Sequence, residues 1–198
     1  MEIEDIKENY YFETLTDKHD LSYFDCGDEE LNNFLKEDAL KLQKSKLSLT
    51  KLIACNGKIV GYFSVLTDGI MIKKINNEKI KLDIKEQLDI HEKSKLLPAV
   101  KIGRLAIDKE FIGKGLGTQI LREILFNLKR ISETKVGFRF VIVEGYAKAI
   151  NFYIINNGFE YLKKDDVKIK EIDFISQRDP TKKFFLYFDL EKFEKEKI

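Results

Sequence analysis

Residues 97–121, LPAVKIGRLAIDKEFIGKGLGTQIL, constrain the fold of this chain more than any other segment. They predict a β-strand over residues 100–108, a glycine-rich turn over residues 112–117, and then a helix. The apolar residues of the helix are spaced three and four apart, as on a single buried stripe, and comprise Leu116, Ile120, Leu121, Ile124, Leu125 and Leu128. This order of elements indicates a phosphate site, because the free N–H groups of the loop and the helix dipole both attract an anion.

The glycine spacing excludes two common kinds of phosphate loop. A nucleotide P-loop needs Gly-x-x-x-x-Gly-Lys-Ser/Thr, and the sequence has no such run. A dinucleotide fingerprint needs Gly-x-Gly-x-x-Gly, whereas the glycines here are Gly113, Gly115 and Gly117. The alternative without a ligand is a turn that lets the helix pack tightly on the strand.

The chain after this helix predicts one more strand and one more helix. Residues 139–143, RFVIV, are nearly all apolar and β-branched, which is typical of a strand buried on both faces. The following stretch YAKAINFYIINNGFEYL has helical character and is expected to end at Asn157 and Gly158, since glycine readily takes the left-handed conformation that ends helices.

The front half predicts a helix and a β-hairpin. The run FDCGDEELNNFL, residues 24–35, opens a helix with three carboxylates in its first turn, where they favour the helix dipole. The apolar face of this helix is formed by Leu31, Phe34, Leu35, Ala39 and Leu42. Two strands then flank Asn56 and Gly57, a pair typical of tight hairpin turns.

These motifs together resemble the GNAT acetyltransferase superfamily. GRLAID followed by x-x-Gly-x-Gly is similar to motif A, the acetyl-CoA pyrophosphate loop of that family. The family's helix motif, A-x-x-F-Y followed after a short gap by G-F, is matched by Ala149, Phe152, Tyr153, Gly158 and Phe159, with four residues between the tyrosine and the glycine. The runs FDCG–LN–FL–A, GYFS and the C-terminal DPTKKFFLYFDLEKF resemble a narrower branch, the toxins of bacterial toxin–antitoxin pairs that acetylate the α-amine of aminoacyl-tRNA.

The resemblance implies an α/β (α+β) GNAT fold: a mixed, mostly antiparallel central sheet with helices on both faces, whose splayed strands hold CoA. It implies acetyl-CoA as cosubstrate and Tyr153 as the catalytic acid that protonates the departing sulfur. The cofactor-binding residues would be Leu105, Ile107, Ile112, Gly113, Lys114, Gly115, Leu116, Gly117, Thr118 and Asn151. The implied partners are an amine acceptor, aminoacyl-tRNA, a ribbon-helix-helix antitoxin and a second copy of the chain.

Two features depart from the family pattern. The loop motif usually starts with Gln or Arg, and here that position is Ile112, so one side-chain contact to the pyrophosphate is lost. The segment 67–97 is a densely charged insertion that predicts a strand or loop followed by one short helix, and residues 163–183 form a second charged segment. The general base is not identified; Glu144 follows a strand end, but an α-amine of lowered pKa needs none.

Composition favours one domain, residues 1–198, in a reducing cytoplasm. The chain is 43% hydrophobic, has no apolar run of membrane-spanning length, and begins with acidic residues unlike a signal peptide. Cys26 and Cys55 lack metal-ligand spacing, and His19 and His91 form no cluster, so no metal is expected.

The charge distribution does not identify the acceptor substrate. A net charge of +1 argues against a protein that coats nucleic acid, yet residues 39–67 contain no acid and five lysines: Lys41, Lys44, Lys46, Lys51 and Lys58. This segment is either a contact for a tRNA backbone or an ordinary solvated face. The alternatives to the toxin activity are an acetyltransferase for a small amine, a peptide or a protein N-terminus, and a non-catalytic CoA-binding module.

Overall fold

The computed structural model describes residues 2–88, 95–162, 174–175 and 177–193. Within these ranges, seven strands form one sheet in the order β1-β2-β3-β4-β5-β7-β6. They are β1 Tyr11–Thr14, β2 Leu49–Cys55, β3 Lys58–Met71, β4 Leu96–Ile107, β5 Phe140–Tyr146, β6 Glu160–Tyr161 and β7 Lys183–Asp189. The pairs β1–β2, β2–β3, β5–β7 and β6–β7 are antiparallel. The predicted α/β fold with a mostly antiparallel sheet is therefore confirmed.

Six α-helices that accompany the strands have both of their ends within the described part of the chain. They are α1 Ile3–Asn9, α2 Glu29–Asn33, α3 Ala39–Lys44, α4 Glu78–Leu88, α5 Leu116–Thr134 and α6 Ile150–Asn157. Short 3-10 turns cover Ile72–Lys74, Lys109–Phe111, Ala147–Ala149 and Leu190–Lys192. The strand predicted over residues 100–108 starts earlier, at Leu96, and the helix α1 was not predicted.

The chain divides into two compact units. The first comprises Met1–Leu66 and Ile102–Glu123, and the second comprises Thr67–Lys101 and Ile124–Ile198. The core of the first contains Leu15, Phe24, Leu35, Ala39, Leu52, Tyr62 and Ala106. The core of the second contains Ile70, Ile72, Ile84, Leu97, Phe140, Ile142 and Tyr187. The prediction of one domain over residues 1–198 stays a prediction.

The front helix is not one continuous α-helix. Asp28 caps α2 by accepting a hydrogen bond from the Leu31 N–H at 3.2 Å, as its position at the start of the acidic run suggests. A π-helical turn then covers Phe34–Asp38, closed by a bond from the Ala39 N–H to the Phe34 carbonyl. Leu35 and Ala39 are both buried, so the predicted apolar face lies on the core at this turn.

The hairpin and the charged insertion follow the predictions. Asn56 and Gly57 both have positive φ, 50° and 77°, as a tight two-residue turn requires. Within the insertion, β3 continues to Met71 and the predicted short helix is α4. His91 lies outside the described residues, as do residues 163–173 of the second charged segment.

Candidate active site

The predicted phosphate loop lies between a short capped turn and the long helix α5. Asp108, 4% exposed, closes the turn Lys109–Phe111: its carboxylate accepts from the Glu110 N–H at 3.0 Å, and its carbonyl accepts from the Phe111 N–H at 2.9 Å. Phe111 is buried and anchors the end of the turn. The next four residues are exposed, and α5 begins at Leu116.

The two glycines before the helix give the loop its shape. Gly113 and Gly115 have φ of +78° and +80°, a conformation that side chains disfavour. A β-carbon at either position would meet no atom within 4 Å, so the backbone there faces open space. This arrangement fits a phosphate, because the anion can approach the backbone N–H groups at the positive end of a 19-residue helix.

The charges around the loop also favour an anion. The first turn of α5 carries no acidic residue. Lys114 is exposed, and its ammonium lies 5.8 Å from the centre of the Phe111 ring. Ile112 is 58% exposed and supplies no charge, which agrees with the departure seen in the sequence. Leu116 is fully buried, so only its backbone can serve a ligand, while Gly117 and Thr118 are half-buried.

The strand that leads into the loop approaches its neighbour closely at one glycine. In β4, Leu105 and Ile107 are half-buried on either side of the buried Ala106. A β-carbon on Gly61 of β3 would lie 2.7 Å from the Ala106 carbonyl oxygen. Only glycine fits there without shifting that backbone, which gives the glycine of the GYFS run a structural reason.

Tyr153, the predicted catalytic acid, is a buried residue of the second unit. Its ring lies across Gly145 of β5, where a β-carbon would be 3.2 Å from the tyrosine ring. The rings of Phe152 and Phe159 meet it edge-on, with centroids 5.0 and 5.5 Å away. Burial raises the pKa of Tyr153 to about 12, so the side chain stays protonated at neutral pH.

The helix that carries Tyr153 ends as the sequence predicts, but it begins later than the predicted stretch, at Ile150. It follows the turn Ala147–Ala149 and stops at Gly158, which has φ of +70°. The Tyr153 carbonyl accepts from the Phe159 N–H at 3.1 Å, so the residue is tied to the chain beyond the helix. Asn151, predicted to contact the cofactor, is exposed on α6.

Glu144, considered as a general base, forms an ion pair with Lys101. Both side chains are partly buried, 29% and 21% exposed. Glu144 lies inside β5, not after a strand end as the sequence predicted, and its carboxylate is already engaged by this lysine. The lysine lies in the strand PAVKIG and carried no signal of its own in the sequence.

The remaining sequence candidates have structural partners. The Cys26 thiol contacts the Asn32 side-chain oxygen at 3.2 Å, and burial raises its pKa, as expected of a packing residue rather than a nucleophile. His19 approaches the Glu13 carboxylate at 3.3 Å. Among the described residues, no three His, Cys, Asp or Glu side chains gather as a metal ion would require. No helix in the described ranges is long and apolar enough to cross a membrane.

Three lysines of the acid-free segment have partners outside it, two of them carboxylates. Lys58 pairs with Glu110 at 2.6 Å, Lys51 donates to the Thr14 hydroxyl at 2.7 Å, and Lys41 approaches Asp38 at 3.7 Å. Lys44 and Lys46 are exposed at the end of α3. Both interpretations of this segment therefore stay open.

Comparison with known proteins finds tRNA-acetylating toxins among the relatives of this chain. No family model matches the sequence. A tRNA-acetylating toxin of Mycobacterium tuberculosis (strain ATCC 25618 / H37Rv) is 20% identical over 155 residues, 78% of this chain and 87% of the toxin. The structure of AtaT complexed with acetyl-methionyl-tRNAfMet matches with a TM-score of 0.70 at 22% identity, covering 93% of this chain and 96% of that one.

A second AtaT structure holds other ligands. It is a tyrosine-to-phenylalanine variant of the toxin bound to the C-terminus of the antitoxin AtaR and to acetyl-CoA, with a TM-score of 0.63 at 22% identity. The match covers 93% of this chain and 95% of that one. The predicted resemblance is confirmed: this chain has the fold of the GNAT-type tRNA-acetylating toxins.

Proposed function

We propose that this protein transfers the acetyl group of acetyl-CoA to the α-amine of aminoacyl-tRNA. The observation that carries the proposal is the loop at Gly113 and Gly115, whose backbone faces open space at the start of α5. The fold it belongs to is shared with a toxin whose structures hold acetyl-CoA or an acetylated aminoacyl-tRNA. The two observations together favour a CoA pyrophosphate over other phosphates.

In this proposal the cosubstrate is bound mainly by backbone. The N–H groups of residues 113–118 hold the pyrophosphate, with Lys114 as a cation within the loop. The backbone of Leu105 and Ile107 pairs with the pantetheine arm, and Asn151 supplies a further polar contact. Ile112 offers no charge, so the loop relies on the helix dipole and the amides.

The reaction is a direct displacement at the thioester. The neutral amine attacks the carbonyl carbon, an oxyanion forms, and the C–S bond breaks as the amide bond forms. Tyr153 gives its proton to the departing CoA sulfur, and the acetylated nitrogen loses its own extra proton to solvent. Holding amine and thioester in line can supply about 7–11 kcal/mol of the barrier, and a backbone N–H of the Leu105–Ile107 strand stabilises the oxyanion.

The pKa of Tyr153 gives an expected pH profile. An acid works only while it carries its proton, and burial raises this pKa from 10.0 to about 12. We therefore expect kcat to show no falling limb from this tyrosine between pH 7 and pH 10.5. The measurement is kcat against pH at saturating substrates, with circular dichroism at each pH to confirm folding. A limb centred near pH 10 that vanishes in Tyr153→Phe would show that the pKa of this acid is not raised by burial, and a limb that persists in Tyr153→Phe would belong to another group.

Placing an arginine at the first position of the loop motif tests whether the loop binds pyrophosphate. Ile112→Arg is expected to lower the dissociation constant of acetyl-CoA about tenfold, because a guanidinium at this exposed position can bond the pyrophosphate. Isothermal titration calorimetry measures the constant. Leu82→Arg, which adds the same charge at another exposed apolar position, is the control and should change nothing. An unchanged constant in Ile112→Arg would count against pyrophosphate binding at this loop.

The proposal extends to partners and cellular setting. The antitoxin would be a small ribbon-helix-helix protein, and a second copy of the chain is a further partner. The whole of residues 1–198 would act as one acetyltransferase domain, and the two unpaired cysteines fit a reducing cytoplasm. Growth arrest on expression, relieved by the antitoxin, is the expected phenotype.

The decisive experiment follows label from acetyl-CoA. Purified protein is incubated with labelled acetyl-CoA and charged total tRNA, and label is sought on the aminoacyl group. Transfer to aminoacyl-tRNA supports the proposal. Transfer only to a small amine or a peptide would replace it by a general acetyltransferase, and calorimetric binding of acetyl-CoA without transfer to any amine would indicate a binding module.

A further inference from the structure

The front motif FDCG bonds directly to the turn that precedes the phosphate loop. Asp25 and Lys109 lie 84 residues apart, yet the Asp25 carboxylate accepts from the Lys109 ammonium at 2.6 Å. The Asp25 carbonyl accepts from the Lys109 N–H at 2.9 Å, and the Asp25 N–H donates to the Asp108 carboxylate at 3.3 Å. Three bonds therefore join one residue of the motif to the first residue of the turn and to the aspartate that caps it.

Asp108 connects this contact to the loop itself. It is buried, and its N–H donates to the Val60 carbonyl at 2.9 Å, which fixes it to β3. The same carboxylate that accepts from Asp25 caps Glu110, and its carbonyl holds Phe111. Because Phe111 is followed at once by the open loop, the position of the turn sets where the loop begins.

Asp25 is itself held by its own segment. The carboxylate oxygen that does not face Lys109 accepts from the Gly27 N–H and from the Asn32 side-chain amide, both at 2.8 Å. Asn32 in turn accepts from the Cys26 N–H at 3.0 Å. Hydrogen bonding to the Lys109 ammonium, followed by the Gly27 and Asn32 bonds, holds the pKa of Asp25 far below its usual range.

We propose that Asp25 is a positioning residue for acetyl-CoA: with Asn32 behind it, Asp25 holds the turn Lys109–Phe111 so that the loop is already shaped for the pyrophosphate. This inference rests on the proposed function and adds a role for the front motif, which lies outside the loop and the catalytic helix. A loop shaped in advance loses less conformational freedom on binding, so its contribution is to affinity. The acetyl step itself does not involve Asp25.

The test compares two aspartates of the same segment. Asp25→Ala removes three side-chain bonds, and Asp20→Ala is the matched control, since Asp20 bonds to Ser22 at 2.9 and 2.6 Å in a local turn. We expect Asp25→Ala to raise both the calorimetric dissociation constant and the KM of acetyl-CoA about tenfold, while kcat at saturation changes less than twofold. Asp20→Ala should leave all three values unchanged.

Two further measurements separate positioning from a general loss of structure. Hydrogen exchange of the free protein should show faster exchange of the Glu110 and Phe111 amides in Asp25→Ala. Asp25→Asn keeps an oxygen for the Gly27 N–H but loses the ion pair with Lys109, so it should give an intermediate dissociation constant. If Asp25→Ala does not fold, Asp25→Asn provides the test. A dissociation constant of Asp25→Asn for acetyl-CoA equal to that of the wild type would overturn the proposal.

The failure of this inference is distinct from the failure of the proposed function. Tight binding of acetyl-CoA by the wild type and an equal constant in Asp25→Ala would overturn the positioning role alone. A fall in kcat of Asp25→Ala with an unchanged dissociation constant for acetyl-CoA would also overturn the positioning role. Absence of acetyl-CoA binding by the wild type would overturn both.

Discussion

Replacing Tyr153 by phenylalanine is expected to lower kcat for acetyl transfer by about 10²–10⁴-fold, the usual contribution of a general acid. The ring packs against Gly145, Phe152 and Phe159, and phenylalanine keeps those contacts, so folding and the dissociation constant of acetyl-CoA should hardly change. The measurements are kcat with labelled acetyl-CoA and charged tRNA, and calorimetric binding of acetyl-CoA. Loss of turnover with intact binding is the expected combination.

Tyr161→Phe provides a matched control. Tyr161 is 8% exposed, close to the 9% of Tyr153, and its ring also meets a phenylalanine edge-on, at 5.9 Å from Phe184. The same chemical change at a similarly buried site should leave kcat within twofold of the wild type. A fully active Tyr153→Phe protein would remove the general acid from the mechanism, whereas equal losses in both variants would show that the effect is one of packing.

The elements that the sequence predicted well are those set by local rules. The end of α6 depends on Gly158 taking a left-handed conformation, and the hairpin depends on positive φ at Asn56 and Gly57. The buried stripe of α5 depends only on helical spacing, and all six predicted residues are buried. Each of these signals is contained within a few residues, so it can be read without the rest of the chain.

The features that the sequence left out depend on distant residues or on weak local signals. Helix α1 has seven residues and no side-chain bond at its start, so it lacks both periodicity and a cap. The π-helical turn at Phe34–Asp38 looks like ordinary helix in the sequence, because one extra residue does not alter the composition. The contact between Asp25 and Lys109 was not predicted, because the two residues lie 84 positions apart in the sequence.

The residues of the candidate site also divide into those with a local sequence signal and those without one. The glycine loop and Tyr153 are candidates because a family motif marks each of them, and their roles stay predictions. Lys101, which pairs with Glu144, could not be found, since a lysine on a strand has no pattern that predicts its partner. Gly61 lay in a motif, but the reason for a glycine there became clear only from the fold, in which a β-carbon would lie 2.7 Å from the Ala106 carbonyl oxygen.

Two glycine variants test the loop, and one of them has the largest expected effect on the affinity for acetyl-CoA. Gly115→Ala is expected to raise the dissociation constant of acetyl-CoA about 10- to 100-fold, as for the loss of hydrogen bonds to a charged group. The reason is that the added methyl group projects into the open space in front of the loop, where a phosphate oxygen would meet the backbone N–H. Calorimetry with acetyl-CoA measures the constant.

Gly57→Ala separates this effect from backbone strain. Gly57 has φ of +77°, against +80° for Gly115, and a β-carbon at either would meet no atom within 4 Å. Both variants should therefore lose a similar free energy of unfolding, about 1–2 kcal/mol, because an L-residue is disfavoured in this conformation. Only Gly115→Ala should lower the affinity for acetyl-CoA. Equal affinity for acetyl-CoA in the two variants would show that the substitution at Gly115 causes only backbone strain. The cosubstrate would then not approach this backbone.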